Sequence, residues 1–254
     1  MADTVIRRVL VTGGGRGLGA AIVKLLAASG HDVTFTFRSA RSEADELLAH
    51  LQAAHPQQKF GAHQADLADK AAVDALLATL DKEGPFSGFV HNAGQSYDAL
   101  AVMMDQARAE AAMQVNFWSF TRLATGVVRQ MMRAKDGRVA VIGSVTAELG
   151  NQGNAAYAAS KAALLGYVRT LAIEVASRNI TVNYVAPGFI DTDMISKYAK
   201  FREHMESQIP AKRFATPDDI AGIVGFLMSP GAAYITGAYL PVDGGLSAAI
   251  GIHR

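Results

Sequence analysis

The chain of 254 residues contains no cysteine. Disulfides, thiolate nucleophiles and cysteine-based metal sites are excluded, although the redox compartment is not set by that alone. There is no excess of charge of either sign. Lys and Arg number 24 against 23 Asp and Glu, a formal net charge of +1. That balance calls for neither a nucleic acid nor a membrane surface, and leaves room only for a local basic patch. No apolar run is long enough to span a bilayer. The start of the chain lacks an apolar signal core and a small-residue cleavage site. No His/Asp/Glu pattern of metal ligands occurs. Linkers, short repeats and low-complexity tracts are missing too. The expectation is one cytoplasmic domain over 1–254. The hydrophobic fraction of 50% excludes a disordered chain.

What is present is a regular alternation of short apolar runs and amphipathic stretches. Strands are expected at 9–12, 33–37, 60–64, 138–142, 180–185 and 239–242, with another ending at Phe89-Val90-His91. Several are apolar on both faces, as buried parallel strands are. Helices are expected at 17–29, stopped by Gly30, and at 42–54, 70–80 and 154–176. A longer helical stretch with a break covers 105–133. Thr216 followed by Pro217 reads as the cap and first residue of a helix running to Met228. Repeated βαβ units give an α/β fold, a Rossmann-type doubly wound parallel sheet with helices on both faces. The segment 188–210 breaks the rhythm and is expected to form a lid over a site.

Strand 9–12 runs into Thr12-Gly13-Gly14-Gly15-Arg16-Gly17-Leu18-Gly19 and then a helix. Glycines let the backbone approach a ligand closely. The helix start offers free N–H groups and a positive dipole end, which suits a pyrophosphate. Enzymes that use NAD place a carboxylate after the second strand, whereas those that use NADP place Arg or Lys there for the 2′-phosphate. Here that strand ends at Phe37-Arg38-Ser39, with Arg41 beyond and Arg16 in the glycine turn. Asp32 lies at the wrong end of the strand. The charges therefore favour NADP(H).

Ser144 ends a strand, Tyr157 follows thirteen residues later, and Lys161 lies one helical turn beyond Tyr157. An i,i+4 pair shares a helix face. An ammonium beside a phenol lowers the tyrosine pKa, which would suit Tyr157 to acid–base work.

With Gly13-x3-Gly17-x-Gly19 and Tyr157-Ala158-Ala159-Ser160-Lys161, the chain resembles the short-chain dehydrogenase/reductase family. It is most similar to the bacterial β-ketoacyl-[acyl-carrier-protein] reductases. The segments 142–145, 154–157, 174–178, 180–183, 186–190, 229–230, 234–237 and 242–245 carry that likeness. The resemblance implies NADPH-dependent reduction of a 3-oxoacyl thioester, in the synthesis of fatty acids or of related polyketides or polyenes. It implies that Ser144 binds the substrate oxygen, that Tyr157 exchanges a proton with it, and that Lys161 holds the nicotinamide ribose and tunes Tyr157. Asn116 matches an asparagine that supports a water leading to the lysine.

The same resemblance assigns cofactor contacts to Gly13, Gly15, Arg16, Gly17, Leu18 and Gly19 in the turn. It assigns others to Arg38, Ser39, Asp66, Leu67, Asn92, Ala93, Gly94, Tyr157 and Lys161. Pro187, Gly188, Ile190 and Thr192, with Met194 next, fall at the nicotinamide end. The family usually shows Asn-Asn-Ala-Gly where this chain has His91-Asn92-Ala93-Gly94. His91 is expected to alter strand packing rather than to take part in catalysis. The resemblance further implies a homotetramer and an acidic acyl carrier protein as partner, with Arg129, Arg133 and Arg169 as candidate docking residues. Ile173 stands where relatives often carry a basic residue. Alternatives remain: a reductase for a free ketone or sugar, a specialised-pathway ketoreductase, to which His91 and Trp118 leave room, or a non-catalytic NADP-binding sensor.

Overall fold

Seven strands form one parallel sheet in the order β3-β2-β1-β4-β5-β6-β7. The computed structural model describes residues 7–249, apart from the side chains of Met194, Ser196, Lys197 and Tyr198. The strands are β1 (Arg8–Thr12), β2 (Asp32–Phe37), β3 (Phe60–Gln64), β4 (Gly88–His91), β5 (Gly137–Ile142), β6 (Ile180–Pro187) and β7 (Tyr239–Val242). Strands β4, β5 and β6 are buried throughout, as their continuous apolar character requires in a sheet covered on both faces. Two apolar cores fill the two faces. One gathers Leu10, Phe89, Phe120, Leu164 and Tyr184, the other Val9, Ile22, Phe35, Ile220 and Val224.

Helices α1 (Gly17–Ala28), α2 (Arg41–Ala54) and α3 (Lys70–Glu83) follow the first three strands. Gly30 closes α1 as expected: its N–H donates to the Ala27 carbonyl, and that of His31 to Leu26. The stretch 105–133 breaks as expected, and the break is a π turn, Gln114–Trp118, between α4 (Gln106–Met113) and α5 (Ser119–Ala134). There Ser119 N–H reaches five residues back to the Gln114 carbonyl. Helix α6 (Ala155–Val175) precedes β6. After β6 the segment 188–210 holds 3₁₀ turns over Asp193–Phe201 and α7 (Arg202–Gln208). It carries no named strand, and a single parallel bridge joins Ile190 to Ala215. Helix α8 (Pro217–Met228) starts with the anticipated Thr216 cap, made reciprocal by Asp219.

The sheet order reverses direction between β1 and β4. Such a switch point opens a crevice at the carboxyl ends of the strands. Thr12 and His91, the last residues of β1 and β4, lie opposite one another across it.

Candidate active site

The glycine turn leaves β1 at this crevice. Gly13 takes φ +66°, a left-handed conformation that favours glycine. A Cβ on Gly19 would stand 2.0 Å from the Gly13 carbonyl oxygen, so only glycine lets the first coil of α1 pack this closely on the turn. The turn is tied to its neighbours by side chains. Gly13 N–H donates to Thr36 Oγ1 at 3.1 Å, and Asn92 Nδ2 donates to the Thr12 and Gly13 carbonyls at 3.2 and 3.0 Å. Asn92 therefore spends its amide on holding the turn. Helices α3, α4 and α8 are each capped by a side chain, from Asp69, Asp105 and Thr216. Helix α1 starts at Arg16 with no side-chain cap and no carboxylate in its first turn. Its N–H groups and dipole suit an anion held by main chain.

Around the end of β2, Arg38 and Ser39 are exposed, and Gln64 Nε2 donates to the Arg38 carbonyl at 2.9 Å. Arg41 donates to Gln64 Oε1 and lies over the Phe37 ring. Arg16 faces Asp193 at 3.5 Å. Asp66 is exposed after β3, its carboxylate accepting from Ala68 N–H, while Leu67 is buried.

Ser144, Tyr157, Lys161 and Asn116 come together below the turn. Ser144 lies two residues beyond the end of β5, where its N–H donates to Tyr184 Oη at 3.0 Å. Its Oγ accepts from the Thr146 N–H and hydroxyl at 3.2 and 2.9 Å. With both lone pairs filled, the Ser144 proton is free to be donated, and its side chain draws the Tyr157 pKa down. Lys161 is 2% exposed, and its ammonium donates to the Ile142 carbonyl at 2.8 Å. Gly94 borders both groups: a Cβ on it would stand 3.5 Å from both Lys161 Nζ and Asn116 Oδ1. Asn116 is fully buried on the π turn. Its Oδ1 accepts from Gln95 N–H at 2.7 Å, and its Nδ2 donates to the Gln95 carbonyl and to Ser160 Oγ at 3.0 and 2.8 Å.

One expectation is corrected here. Lys161 was to lower the Tyr157 pKa, but burial dominates and pushes the phenol up to about 12, with Ser144 pulling the other way. Lys161 Nζ lies 5.7 Å from the centre of the Tyr157 ring and gives one of its three N–H donors to the Ile142 carbonyl. Burial draws Lys161 itself down to about 8. Desolvation disfavours the charged form of both groups, so it moves an acid up and a base down.

At the nicotinamide end predicted for 187–192, Pro187 is buried and Gly188 approaches Asp243 too closely to admit a Cβ. Gly17 faces the Thr192 methyl. The Met194 side chain lies outside the described residues. The segment 188–210 is braced by Arg202, which pairs with Asp191 at 2.7 Å and Glu206 at 2.9 Å and covers Phe214. Of the docking candidates, Arg129 and Arg133 are exposed on α5, and Arg169 on α6 pairs with Glu148 at 3.5 Å.

Sequence reasoning passed over Tyr184, Gln95 and Ser160. Tyr184 stacks its ring where any Gly143 side chain would be and donates toward the Ser144 and Lys161 carbonyls. A phenol inside an apolar strand was the available signal. Gln95 and Ser160 gave none, since polar residues of that kind occur on most loops and helices.

The family model described as enoyl-(acyl carrier protein) reductase matches residues 13–247. The 3-oxoacyl-[acyl-carrier-protein] reductase MabA of Mycobacterium tuberculosis is 42% identical over 246 residues, which cover 95% of this chain and 93% of that protein. The 3-oxoacyl-[acyl-carrier-protein] reductase FabG of Escherichia coli is 40% identical over 242 residues, covering 93% and 96%. Among solved structures, a putative NAD(P)-dependent gluconate 5-dehydrogenase from Beutenbergia cavernae with bound NADP superimposes with a TM-score of 0.90 at 33% identity, covering 96% and 97% of the two chains. A blue fluorescent protein from a metagenomic library, in complex with NADPH, gives 0.87 at 37% identity over 94% and 97%. Among the described residues, no helix is long and apolar enough to cross a membrane.

Proposed function

Because the chain belongs to the short-chain dehydrogenase/reductase family, we propose that it reduces a 3-oxoacyl thioester, carried on acyl carrier protein in the cytoplasm, to the 3-hydroxyacyl thioester with NADPH. The observation that carries this reading is the convergence of a donating Ser144 hydroxyl, a protonated Tyr157 and the Lys161 ammonium at the mouth of the β1–β4 crevice.

NADPH, when bound, supplies the hydride. Gly13, Gly15, Gly17, Leu18 and Gly19 would hold its pyrophosphate on the start of α1. Arg16, Arg38 and Ser39 would take the 2′-phosphate, Asp66 and Leu67 the adenine, and Asn92, Ala93 and Gly94 the adenosine ribose. Lys161 would hold the nicotinamide ribose, with Pro187, Gly188, Ile190 and Thr192 around the nicotinamide. At the substrate, Ser144 donates to the ketone oxygen and stabilises it as negative charge develops. Tyr157, kept protonated by burial, passes its proton to that oxygen. The 188–210 segment closes over the substrate and excludes water.

The docking of the carrier is assigned to Arg129 and Arg133, with Arg169 released from Glu148. A basic patch meets an acidic partner mainly through long-range attraction, so its effect weakens with salt. Exposed apolar residues nearby, Trp118 on the π turn before α5 and Ile173 on α6, fit burial in a homotetramer. A sedimentation mass of one chain would refute that assembly.

The similarity to gluconate dehydrogenases favours a second reading, a free sugar ketone as substrate. Turnover of NADPH with an acetoacetyl thioester and with a keto-sugar acid decides between them. The first reading expects the thioester to be preferred, and preference for the sugar overturns it. Arg129→Glu is expected to raise KM for a carrier-bound substrate a few-fold at low salt, while a small free thioester is affected far less. Equal effects on both substrates, or none, reject the docking role.

A further inference from the structure

The last residue of β4 is His91, 0% exposed. Its ring lies 5.0 Å from that of Phe120 and 6.2 Å from that of Phe89, so no water reaches its edges. Both nitrogens are engaged. Nδ1 is 3.0 Å from Thr12 Oγ1, and Nε2 is 3.2 Å from the main-chain carbonyl oxygen of Asn116.

The partners fix the tautomer from both ends. Thr12 Oγ1 already accepts the N–H groups of Asn92 and Ala93, each at 3.1 Å. Its own proton is therefore the one directed at Nδ1, which must be bare. The Asn116 carbonyl can only accept, so Nε2 must carry hydrogen. Each requirement alone selects the neutral ring protonated on Nε2, and the two agree. A second proton would set two donors against each other at Thr12. It would also add a charge to a dry site near Lys161. Burial and Lys161 hold the imidazole down to about 3, so the ring stays neutral.

We propose that His91 is a positioning residue: through Thr12 and the Asn116 carbonyl it locks the glycine turn of the cofactor site to the π turn beside Lys161. This rests on the reductase reading above. The π turn gives the link a task in this chain. Winding by five residues rather than four turns carbonyls away from the helix ladder. A carbonyl displaced into a dry interior needs a donor from elsewhere. Imidazole supplies that donor while accepting from Thr12 on its other edge, and its rigid ring sets the spacing between the turns. Asn116 then holds Gln95 and Ser160 with its side chain, and Ser160 precedes Lys161. A shift of the π turn would move the lysine and the loop after Gly94 together.

The test separates the two arms. In His91→Asn, the amide oxygen takes the place of Nδ1 and still accepts from Thr12, but no donor reaches Asn116. In His91→Gln, the amide nitrogen takes the place of Nε2 and donates to Asn116. His91→Phe offers neither arm. With NADPH and an acetoacetyl thioester, His91→Asn is expected to lose kcat by about tenfold, the effect of one neutral hydrogen bond. His91→Gln should restore most of it, and His91→Phe should be the worst of the three. KM for the thioester and the NADPH dissociation constant from fluorescence titration should stay within about twofold in the Asn and Gln variants. Melting temperatures show whether each variant is folded. Independently, NMR of the histidine-labelled chain should show the Nε2–H tautomer of His91 unchanged from about pH 5 to 9.

Equal losses in the Asn and Gln variants would reduce His91 to packing and overturn the proposal, as would full activity in all three. A protonated or Nδ1–H ring would overturn it as well. No turnover by the unmodified chain would instead overturn the reductase reading, and the role of His91 with it.

Discussion

The two ends of the parallel sheet carry similar charged residues and use them in opposite ways. At the amino ends of the strands, charges are matched. Arg7 pairs with Asp136 at 2.8 Å, Arg8 with Glu83 at 2.7 Å, and the buried Arg138 approaches the same Asp136 at 3.6 Å. At the carboxyl ends, Arg16 meets only the well-exposed Asp193 at 3.5 Å, Arg38 is exposed, α1 lacks a side-chain cap, and the buried Lys161 has a neutral carbonyl as partner. Where counter-charges are built into the chain, they hold it together. Where they are withheld, the field is left for a ligand, and burial moves the pKa values of the groups that stay. A fold of this kind separates stability from chemistry by putting them at opposite ends of the same strands.

The contrast is broken most severely at the carboxyl end by Tyr157→Phe. Loss of the proton donor is expected to cost roughly 10²–10⁴-fold in kcat while NADPH still binds, because the ring remains. Activity within twofold of the unmodified chain would reject the assignment. Lys161→Ala should lower both rate and NADPH affinity.

At the amino end, Asp136→Ala leaves the Arg7 and Arg138 guanidinium groups buried without their carboxylate. It should lower unfolding free energy by about 3 kcal/mol, the low end for unpairing a buried charge because Asp136 is partly open to water. Urea unfolding measures the loss, and kcat should hardly move. A matching fall in kcat would mean that the two ends are coupled.

Arg38→Ala sharpens the comparison by removing an exposed charge with no carboxylate beside it. NADPH should bind about 10- to 100-fold more weakly, as expected for one charge-assisted hydrogen bond. NADH binding should be nearly unchanged, and the two dissociation constants provide the check. Equal loss for both would make Arg38 structural.

The smallest effect is on pH dependence. Tyr157, at about 12, stays protonated through the working range. Lys161, at about 8, is cationic below that value and neutral above it. A reaction that needs the ammonium therefore keeps its kcat/KM through neutral pH and loses it as pH rises through about 8. A limb near 6 would point to a different group, and His91 is too depressed to supply one.

Much of this could be read along the chain. The glycine turn, the strand–helix alternation, the break at 105–133 and the Thr216 cap each stand as anticipated. The Tyr157–Lys161 pair was legible as a shared helix face, but its electrostatics were not. The spacing suggested that the ammonium would act on the phenol, whereas the folded chain aims it at Ile142. Asn116 read as an ordinary polar helix residue apart from the family resemblance. Nothing local distinguishes it from Gln114 or Gln130, because its importance comes from the loop packed against it.

The sequence by itself determined what depends on near neighbours: period, turn chemistry, caps, and the i,i+4 placement of Tyr157 and Lys161. Only the tertiary structure decided the contacts that join distant segments. Thr12 and His91 are 79 residues apart, His91 and Asn116 are 25 apart, and Arg7 and Asp136 are 129 apart. Burial follows from those contacts, and it sets which way each buried group's pKa moves. No local pattern encodes burial, because it is a property of everything packed around a residue rather than of the residues beside it in the chain.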